Sequence, residues 1–430
     1  MKIPQSTRFG AGIVAILLAG VCGSGAGADG LVASPEPDWP QWRGPRRDGV
    51  CGEMGLLPRW PAEGPKLLWK ATGLGRGWSC PIVCRGTLYI TGDVGDRLRI
   101  YAYDLAGRPK WQAVNGRAWR KSYAGARACC LYGAGRLYHM NAHGRVACLA
   151  PATGKEVWSA DTFRRFGAGD IRWGHSECLL ADGKRVLVTP GGAKAMMAAL
   201  DAATGRTVWA TRPLGRDTAS YASPILFRYQ GRRHVVTCSS KQGFGVDADT
   251  GTIQWSVPRP TQYQAVATTP CYHDGRVLFA SPDGKSAELF RLDVLGEKTS
   301  VQRVWQSEMM DMSGGFTLVD GRLYGSGYPR TFPGWACVDF GTGQVLYRLK
   351  DLPRGAHVWA EGLLYCVSQA GEAVLLKPTE SAFEVRGRFR PVARKCRDFW
   401  AHPVIHDGRL YLRYHDTLWC YDVRAEKARR

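Results

Sequence analysis

The segment ALDAATGRTVW, residues 199–209, contains the features that decide the fold of this chain. Asp201 is followed by a Thr-Gly pair at Thr204 and Gly205 and then by Trp209. Glycine takes a positive φ without steric cost, and an aspartate side chain can bond the backbone of a tight turn. The segment therefore predicts two short strands joined by a tight turn, with the tryptophan on the second strand.

Variants of this segment recur along the chain, and a second pattern in the same repeat unit gives the period. A glycine followed closely by a run of β-branched or other apolar residues occurs eight times, at intervals of 41 to 49 residues. A period of this size is typical of propellers and solenoids, whose units are too small to bury their own faces and must stack. Each unit has the pattern of four short strands, with the tight turn before the fourth.

Tryptophans recur on the fourth strand of successive units. Large rings at one height can wedge between neighbouring units and bury apolar surface there, so we assign them a structural docking role and no chemical one. The docking residues predicted in this way are Trp69, Trp111, Trp158, Trp209, Trp255 and Trp305.

The two ends of the repeat are complementary. The segment KLLWK around Trp69 is a fourth strand with no unit before it, and the last unit ends at LWCYDVRA without a fourth strand. Pairing these pieces completes an eighth blade and removes free sheet edges. We therefore predict an all-β, eight-bladed β-propeller of four-stranded antiparallel blades over residues 66–423. Residues 29–65 are expected to be an N-terminal extension packed on the propeller, and residues 424–430 a disordered tail.

Residues 1–28 have the pattern of a signal peptide. Lys2 and Arg8 make the start basic, residues 11–21 are apolar, and residues 26–28 are small, as a signal peptidase prefers. The apolar run is shorter than the about 20 residues that span a bilayer, and no later segment is apolar for long enough. We expect an exported protein with no transmembrane segment, soluble in the periplasm or outside the cell after cleavage.

The charge of the chain bears on its partners. The formal net charge is +21, and removal of Lys2 and Arg8 leaves +19. Such a protein attracts acidic partners through a field that salt screens. Because export argues against nucleic acid, the candidates are an acidic glycan, anionic lipid headgroups and an acidic protein; a surface that merely keeps the protein soluble explains the charge equally well. We expect a monomer.

The ALDAATGRTVW repeat resembles the tryptophan-docking repeat of the pyrroloquinoline quinone (PQQ) propellers, the eight-bladed quinoprotein alcohol dehydrogenase-like superfamily. The segments DWPQWRGPRRDGV from Asp38, GPKLLWKATGLG from Gly64 and VTPGG from Val188 are similar to a secreted bacterial branch, the PQQ-like β-propeller repeat proteins. The resemblance covers nearly all of the predicted mature chain and implies the fold. It does not imply an activity, because the superfamily also contains propellers with no cofactor.

The same resemblance raises a dehydrogenase hypothesis at Cys129 and Cys130. Quinoprotein dehydrogenases of the methanol type carry an adjacent-cysteine bridge against the quinone ring, so a vicinal disulfide is one interpretation here. The alternative is that the two residues begin a strand and face opposite neighbours. Where those enzymes place a calcium-binding glutamate, this chain has Lys194, which cannot ligate calcium. We expect no cofactor and no metal, with PQQ and calcium as the disfavoured alternative.

The loops that lead into the first strand of each unit gather at one mouth of a propeller's channel. In this chain they are rich in aromatic, histidine and arginine residues, which suit sugar rings, planar cofactors or acidic peptide segments. These residues also have a purely structural interpretation, in which the aromatic side chains fill the entrance of the channel and the charged groups are solvated. The predicted binding residues are Arg127, Trp173, His175, Glu177, Tyr221, His357, Trp400 and His402.

These observations favour a non-catalytic scaffold in the cell envelope, one that binds a protein or another envelope partner through the mouth of its channel. No catalytic residue is assigned, since the chain has no HExxH, GxSxG or GxxxxGK motif. Two alternatives stay open: a PQQ- and calcium-dependent dehydrogenase of alcohols or sugars, and a glycan-binding module.

Overall fold

The computed structural model describes residues 38–261, 263–280, 287–307, 315–328, 332–393 and 396–425. The predicted signal peptide (1–28), residues 29–37 of the predicted extension and residues 426–430 of the predicted tail lie outside this range. Two strands precede the first complete blade, and they are β1 (Val50–Cys51) and β2 (Lys66–Ala71).

Blades 1 to 4 each contain four antiparallel strands in chain order. Blade 1 comprises β3 (Ile82–Cys84), β4 (Thr87–Val94), β5 (Arg97–Asp104) and β6 (Pro109–Arg117). Blade 2 comprises β7 (Leu131–Gly133), β8 (Arg136–Met140), β9 (Arg145–Leu149) and β10 (Glu156–Asp161). Blade 3 comprises β11 (Leu180–Asp182), β12 (Arg185–Val188), β13 (Ala198–Asp201) and β14 (Thr207–Ala210). Blade 4 comprises β15 (Ile225–Tyr229), β16 (Arg232–Cys238), β17 (Gln242–Asp247) and β18 (Ile253–Pro258).

Blades 5 to 8 complete the ring. Blade 5 comprises β19 (Cys271–His273), β20 (Arg276–Ala280), β21 (Ala287–Leu295) and β22 (Lys298–Ser307). Blade 6 comprises β23 (Thr317–Val319), β24 (Arg322–Ser326), β25 (Trp335–Asp339) and β26 (Val345–Leu349). Blade 7 comprises β27 (Gly355–Ala360), β28 (Leu363–Ser368), β29 (Ala373–Pro378) and β30 (Phe383–Phe389). Blade 8 is built from β31 (Val404–His406), β32 (Arg409–Tyr414), β33 (Thr417–Asp422) and β2.

The ring closes as the sequence predicts. Strand β2 pairs antiparallel with β33, with Leu67 opposite Tyr421 and Trp69 opposite Cys420. First strands of several neighbouring blades contact one another around the axis, whereas fourth strands such as β6 and β10 carry mostly exposed and half-buried residues. The eight-bladed propeller closed by an N-terminal strand is therefore confirmed.

The docking tryptophans join each blade to the next through a repeated contact. In blade 2, the Nε1–H of Trp158 donates to the carbonyl of Ala202 in blade 3 at 3.0 Å, and the ring lies on Gly205. The turn is held by Asp201, whose carboxylate accepts from the N–H of Thr204 at 2.9 Å. Equivalent N–H donations come from the other predicted rings Trp69, Trp111, Trp209 and Trp305.

Trp255 departs from this pattern. Its ring packs edge-on against Phe279 at 6.2 Å between centroids, and its N–H has no protein acceptor. The reason lies in blade 5, where β21 and β22 form a long hairpin that turns at Gly296 instead of the shorter Thr-Gly turn. Blade 6 ends in Tyr347, whose hydroxyl donates to the carbonyl of Thr379 at 2.9 Å in the tryptophan's place.

Residues 38–56 cross one end of the channel, and we call them the plug. Trp39 pairs with Val83 of blade 1, and the buried Arg47 donates to the carbonyls of Cys178 and Leu179 at the start of blade 3, both at 2.8 Å. Strand β1 then adds in parallel to β27, which gives blade 7 a fifth strand. The plug therefore ties blades from opposite sides of the ring.

Two smaller features complete the described chain. Its single helix, α1 (Thr162–Phe166), follows blade 2 and is capped by Asp161 and by Gly167, which has φ 69°. No helix in this part of the chain is long and apolar enough to cross a membrane. Arg424, assigned to the disordered tail by the sequence, instead pairs with Leu56, and Ala425 donates to the carbonyl of Gly55 at 2.8 Å. The paired region therefore extends two residues further than predicted, because the plug offers backbone partners.

The docking contact predicts that Gly205→Ala destabilises the propeller. A Cβ at Gly205 (φ +68°) would lie 2.6 Å from the Trp158 ring, so the variant combines a strained backbone with overpacking, at a cost of about 2–4 kcal/mol. Urea unfolding of wild type and variant measures this cost.

The matched control is Gly183→Ala in the same blade. Gly183 has φ +58°, but a Cβ there meets nothing within 4 Å, so only the backbone strain of about 1 kcal/mol applies. Equal destabilisation by the two variants would contradict the docking role of the ring.

Candidate functional site

One end of the channel holds a cavity of about 330 Å³, and we call it the mouth pocket. Its residues come from the loops before the first strands of several blades and from the plug. The residues that line it are Trp42, Trp78, Cys80, Tyr123, Arg127, Cys129, Trp173, Ser176, Cys178, Tyr221, Ser223, Ala267, Arg354, Trp400 and His402.

Aromatic rings form the rim of the mouth pocket. Trp400 lies 5.4 Å from Trp78 and 5.5 Å from Tyr123 between ring centroids. On the other side, Trp173 lies 5.7 Å from Tyr221 and 6.5 Å from Tyr123. This chain of tilted and edge-on rings spans loops of blades 1 to 4 and 8, and it leaves ring faces and edges available to a guest.

Arg127 places a cation among these rings. Its guanidinium lies 5.3 Å from the ring centroid of Trp78 and 5.5 Å from that of Trp119. It also donates to the carbonyls of Tyr123 at 2.7 Å and Gly125 at 2.9 Å. The side chain is therefore held in place by its own loop, because two hydrogen bonds and two rings fix its plane.

Burial changes the pKa values of Arg127 and of the neighbouring Asp93. Burial lowers the pKa of Arg127 to about 10, although the nearby Asp93 carboxylate opposes the change. Burial also raises the pKa of Asp93 to about 6, while the Trp119 N–H, which donates to it at 2.9 Å, opposes that shift. At neutral pH the guanidinium is charged, and the cation faces the pocket.

The floor of the mouth pocket consists of Trp42 from the plug and three cysteines, Cys80, Cys129 and Cys178, that occupy the same position in blades 1, 2 and 3. Cys129 and Cys178 are each 49 residues after the previous one. The N–H of Cys129 donates to Sγ of Cys178 at 3.2 Å, and the N–H of Cys178 donates to Oγ of Ser223 at 3.0 Å.

This ladder continues into blade 5, where the N–H of Ser223 donates to Oγ1 of Thr269 at 3.3 Å. Each rung uses the small polar side chain of the next blade to satisfy a buried N–H that no sheet partner reaches. We call the five residues at this position the inner ladder: Cys80, Cys129, Cys178, Ser223 and Thr269. Serine and threonine perform this role in blades 4 and 5, so hydrogen bonding alone does not explain three sulfurs.

The predicted binding residues separate into two groups. Arg127, Trp173, Tyr221, Trp400 and His402 line the mouth pocket together. The ring of His402 lies edge-on to that of Trp42, with centroids 5.2 Å apart.

The other three predicted residues, His175, Glu177 and His357, are buried and do not line the mouth pocket. His175 packs on Phe163 of α1 at 4.5 Å between ring centroids, and burial lowers its pKa to about 4. His357 lies edge-on to Trp335, and burial lowers its pKa well below the usual value. Glu177 accepts from the N–H and the hydroxyl of Thr189 at 2.8 and 3.1 Å. These three side chains do not line the cavity.

Cys129 and Cys130 are separate thiols in the structure. Cys129 lines the mouth pocket and Cys130 does not, as expected for successive residues of an extended segment. Sγ of Cys129 lies 3.0 Å from Sγ of Cys80, in the neighbouring blade. The vicinal disulfide of Cys129 and Cys130 stays a hypothesis, and Cys80 offers Cys129 a competing sulfur partner.

Nine of the fifteen lining residues were not among the predicted site residues, and Trp42, Trp78, Cys80 and Cys178 are four of them. Cys80 and Cys178 carried a signal in their regular spacing, and Trp78 precedes a first strand just as Trp400 does. Trp42 carried no such signal, because it belongs to the non-repeating plug and reaches the pocket only through the tertiary fold.

The side chains of the mouth pocket do not fit PQQ with calcium. Calcium takes about 6–8 oxygen ligands, and the lining residues include no carboxylate and no side-chain amide. Among the described residues, no group of three or more His, Cys, Asp and Glu side chains is placed to hold a metal ion. Lys194 is exposed beside Gly167, away from this pocket.

Residues 142–384, more than half of the chain, match the family model described as outer membrane protein assembly factor BamB, a PQQ-repeat family. The chain belongs to this family, and the PQQ-like propeller inferred from the docking repeat is confirmed. Among curated proteins, none matches the chain in sequence.

Solved structures share the fold at low sequence identity. BamB from Moraxella catarrhalis has a TM-score of 0.58 at 14% identity, covering 83% of this chain and 99% of that protein. Quinohemoprotein alcohol dehydrogenase from Comamonas testosteroni has a TM-score of 0.65 at 14% identity, covering 91% of this chain and 81% of that protein. The computationally designed Ika8 protein has a TM-score of 0.58 at 13% identity, covering 84% and 100%. These likenesses show the fold alone.

The burial of Glu177 predicts a pH-dependent stability that Glu177→Gln removes. Burial raises the pKa of Glu177 to about 7, so the folded chain holds a proton that the unfolded chain releases near pH 4.5. Between these values stability falls as pH rises, by up to a few kcal/mol. A glutamine can accept from the Thr189 N–H through its oxygen and donate to the Thr189 hydroxyl through its amide, and it has no charge to lose.

The measurement is the difference in unfolding free energy between Glu177→Gln and wild type from pH 4.5 to 8. The difference should move in favour of the variant until about pH 7 and then stay level. Comparing two proteins cancels the opposite pH dependence of buried His175, whose lowered pKa makes stability rise over part of the same range. A difference that does not change with pH would contradict the prediction.

Proposed function

We propose that this protein is a non-catalytic binding scaffold whose mouth pocket receives a segment of an envelope protein that carries an aromatic or apolar side chain next to acidic residues. The supporting observation is the lining of the pocket, which combines a ring of aromatic side chains with Arg127 and Arg354 and contains no carboxylate. The predicted signal peptide supports the envelope as the place of action.

The chemistry of the floor favours a side chain over a sugar. Cys80, Cys129 and Cys178 offer thiols, which are weak hydrogen-bond donors and acceptors, and Trp42 adds an apolar ring. A sugar that displaced water from such a floor would leave its hydroxyls without good partners. A cavity of about 330 Å³ is at the small end of ligand pockets and suits one large side chain with its neighbours.

The cations of the rim favour acidic residues beside that side chain. Arg127 lies against Trp78, and Arg172 lies 5.1 Å from the ring centroid of Trp173, outside the floor. The net charge of the whole chain has the same sign. A carboxylate near the rim would therefore gain charge-assisted hydrogen bonds at close range and electrostatic steering at long range.

Labelled peptides test this proposal. A peptide with tryptophan between glutamates should bind, and peptides with lysines for glutamates or alanine for tryptophan should bind at least about tenfold more weakly, as measured by fluorescence anisotropy. Arg127→Gln should weaken binding of the first peptide by about tenfold and reduce its salt dependence.

The matched control is Arg206→Gln, which removes an exposed cation from the outer turn between β13 and β14. It should leave binding unchanged. Equal binding of the acidic and basic peptides, or no effect of Arg127→Gln, would contradict the proposal. Tight binding of an acidic oligosaccharide that the acidic peptide does not displace would favour the glycan-binding alternative.

We propose further that the protein needs no PQQ. The absence of carboxylates and side-chain amides among the lining residues supports this, since calcium must hold the quinone in a dehydrogenase site of that type. Purified protein with added PQQ and Ca²⁺ should show no dye reduction with alcohols or sugars. Turnover that requires both additions would establish the dehydrogenase alternative.

A further inference from the structure

We propose that Cys80 and Cys129 form a disulfide between blades 1 and 2, at the floor of the mouth pocket. Their sulfurs lie 3.0 Å apart, and both side chains are 2% exposed and line the pocket. The bond would form between sulfurs in neighbouring blades, and it differs from a bond between the adjacent residues Cys129 and Cys130.

The backbone holds this pair in register. Gly77 and Ala126 form a parallel bridge, with the N–H of Trp78 donating to the carbonyl of Ala126 at 2.7 Å. Cys80 and Cys129 each follow a bridged residue by three positions, so they stay level with each other. Adjacent parallel segments lie about 4.8 Å apart, which falls within the about 4.4–6.8 Å between Cα atoms that a disulfide accepts. Adjacent residues, at about 3.8 Å, fall below that range.

The surroundings favour a stable bond over a catalytic one. Burial raises the pKa of Cys129 well above its usual value, so little thiolate is present to attack another disulfide once the chain is folded. The buried cation Arg413 lies near both sulfurs and donates to the carbonyl of Ser79 at 2.9 Å, which fixes the segment before Cys80. A disulfide here would tie the first two blades together.

The oxidant that we infer is a small-molecule disulfide such as glutathione disulfide. One cysteine of the pair, as thiolate, attacks a sulfur of the oxidant, which breaks its S–S bond, forms a mixed disulfide and releases one glutathione thiol. The second cysteine then attacks the first cysteine's sulfur and releases the other glutathione thiol. The protein loses two electrons and two protons, and the oxidant gains both.

Peptide mapping identifies the bonded sulfurs. The full chain is refolded from urea in a glutathione redox buffer, alkylated with N-ethylmaleimide in denaturant and digested with trypsin without reduction. A Cys80–Cys129 bond links the peptide of residues 77–85 to that of residues 128–136, and fragment ions exclude Cys84 and Cys130. A vicinal bond instead removes two hydrogens within the second peptide alone, and a Cys129–Cys178 bond links it to the peptide of residues 173–184.

The expected result is the first link, in at least about nine chains of ten at the oxidising potential of the buffer. Either of the other two patterns would overturn the proposal. It would also be overturned if both peptides were fully alkylated in a chain that has regained its β-sheet circular dichroism.

Serine variants supply a second measurement. Serine occupies the equivalent position of the inner ladder at Ser223, so Cys80→Ser and Cys129→Ser should fold. Dithiothreitol should lower the melting temperature of the oxidised wild type by about 5 °C, because the bond closes a long loop, and should not change that of either variant. Cys178→Ser is the control, and it should keep both the link and the response to dithiothreitol.

Discussion

A tryptophan ring lying on a glycine of the next blade is the contact on which the ring of blades depends. Trp158 shows it in full: one face of the ring covers Gly205, and the indole N–H donates to Ala202 in the same turn. A blade of four short strands cannot bury both of its faces alone. Five blades make this contact, which supplies an apolar neighbour and a hydrogen bond at a fixed height, and the glycine makes room because it has no Cβ.

Most of the fold could be predicted because the repeating sequence pattern specifies both the strands of a blade and the stacking of blades. The Asp-Thr-Gly turn and its tryptophan specify a local geometry, and their repetition specifies how units stack. The closure could be predicted from two incomplete ends. Trp255 shows the limit, since its partner turn was replaced by the longer β21–β22 hairpin. The plug could not be predicted, because it follows no period and its contacts with distant blades arise only in the folded chain.

A site residue could be predicted where its position in the loop before a first strand places it at the mouth of the channel. Arg127 and Trp400 lie in such loops and line the pocket. His175 and Glu177 do not line the pocket, because each has a buried partner that the sequence pattern does not indicate: Phe163 on a short helix and Thr189 directly after β12. Burial among neighbours from other elements is a property of the folded chain, and so are the altered pKa values that accompany it.

The pairing of β2 with β33 has a consequence for the biosynthesis of this protein. Lys66 finds its partner in Asp422, so the eighth blade stays open until nearly all of the described chain has left the ribosome. During that interval β2 has no sheet partner, and an unpaired strand edge invites aggregation.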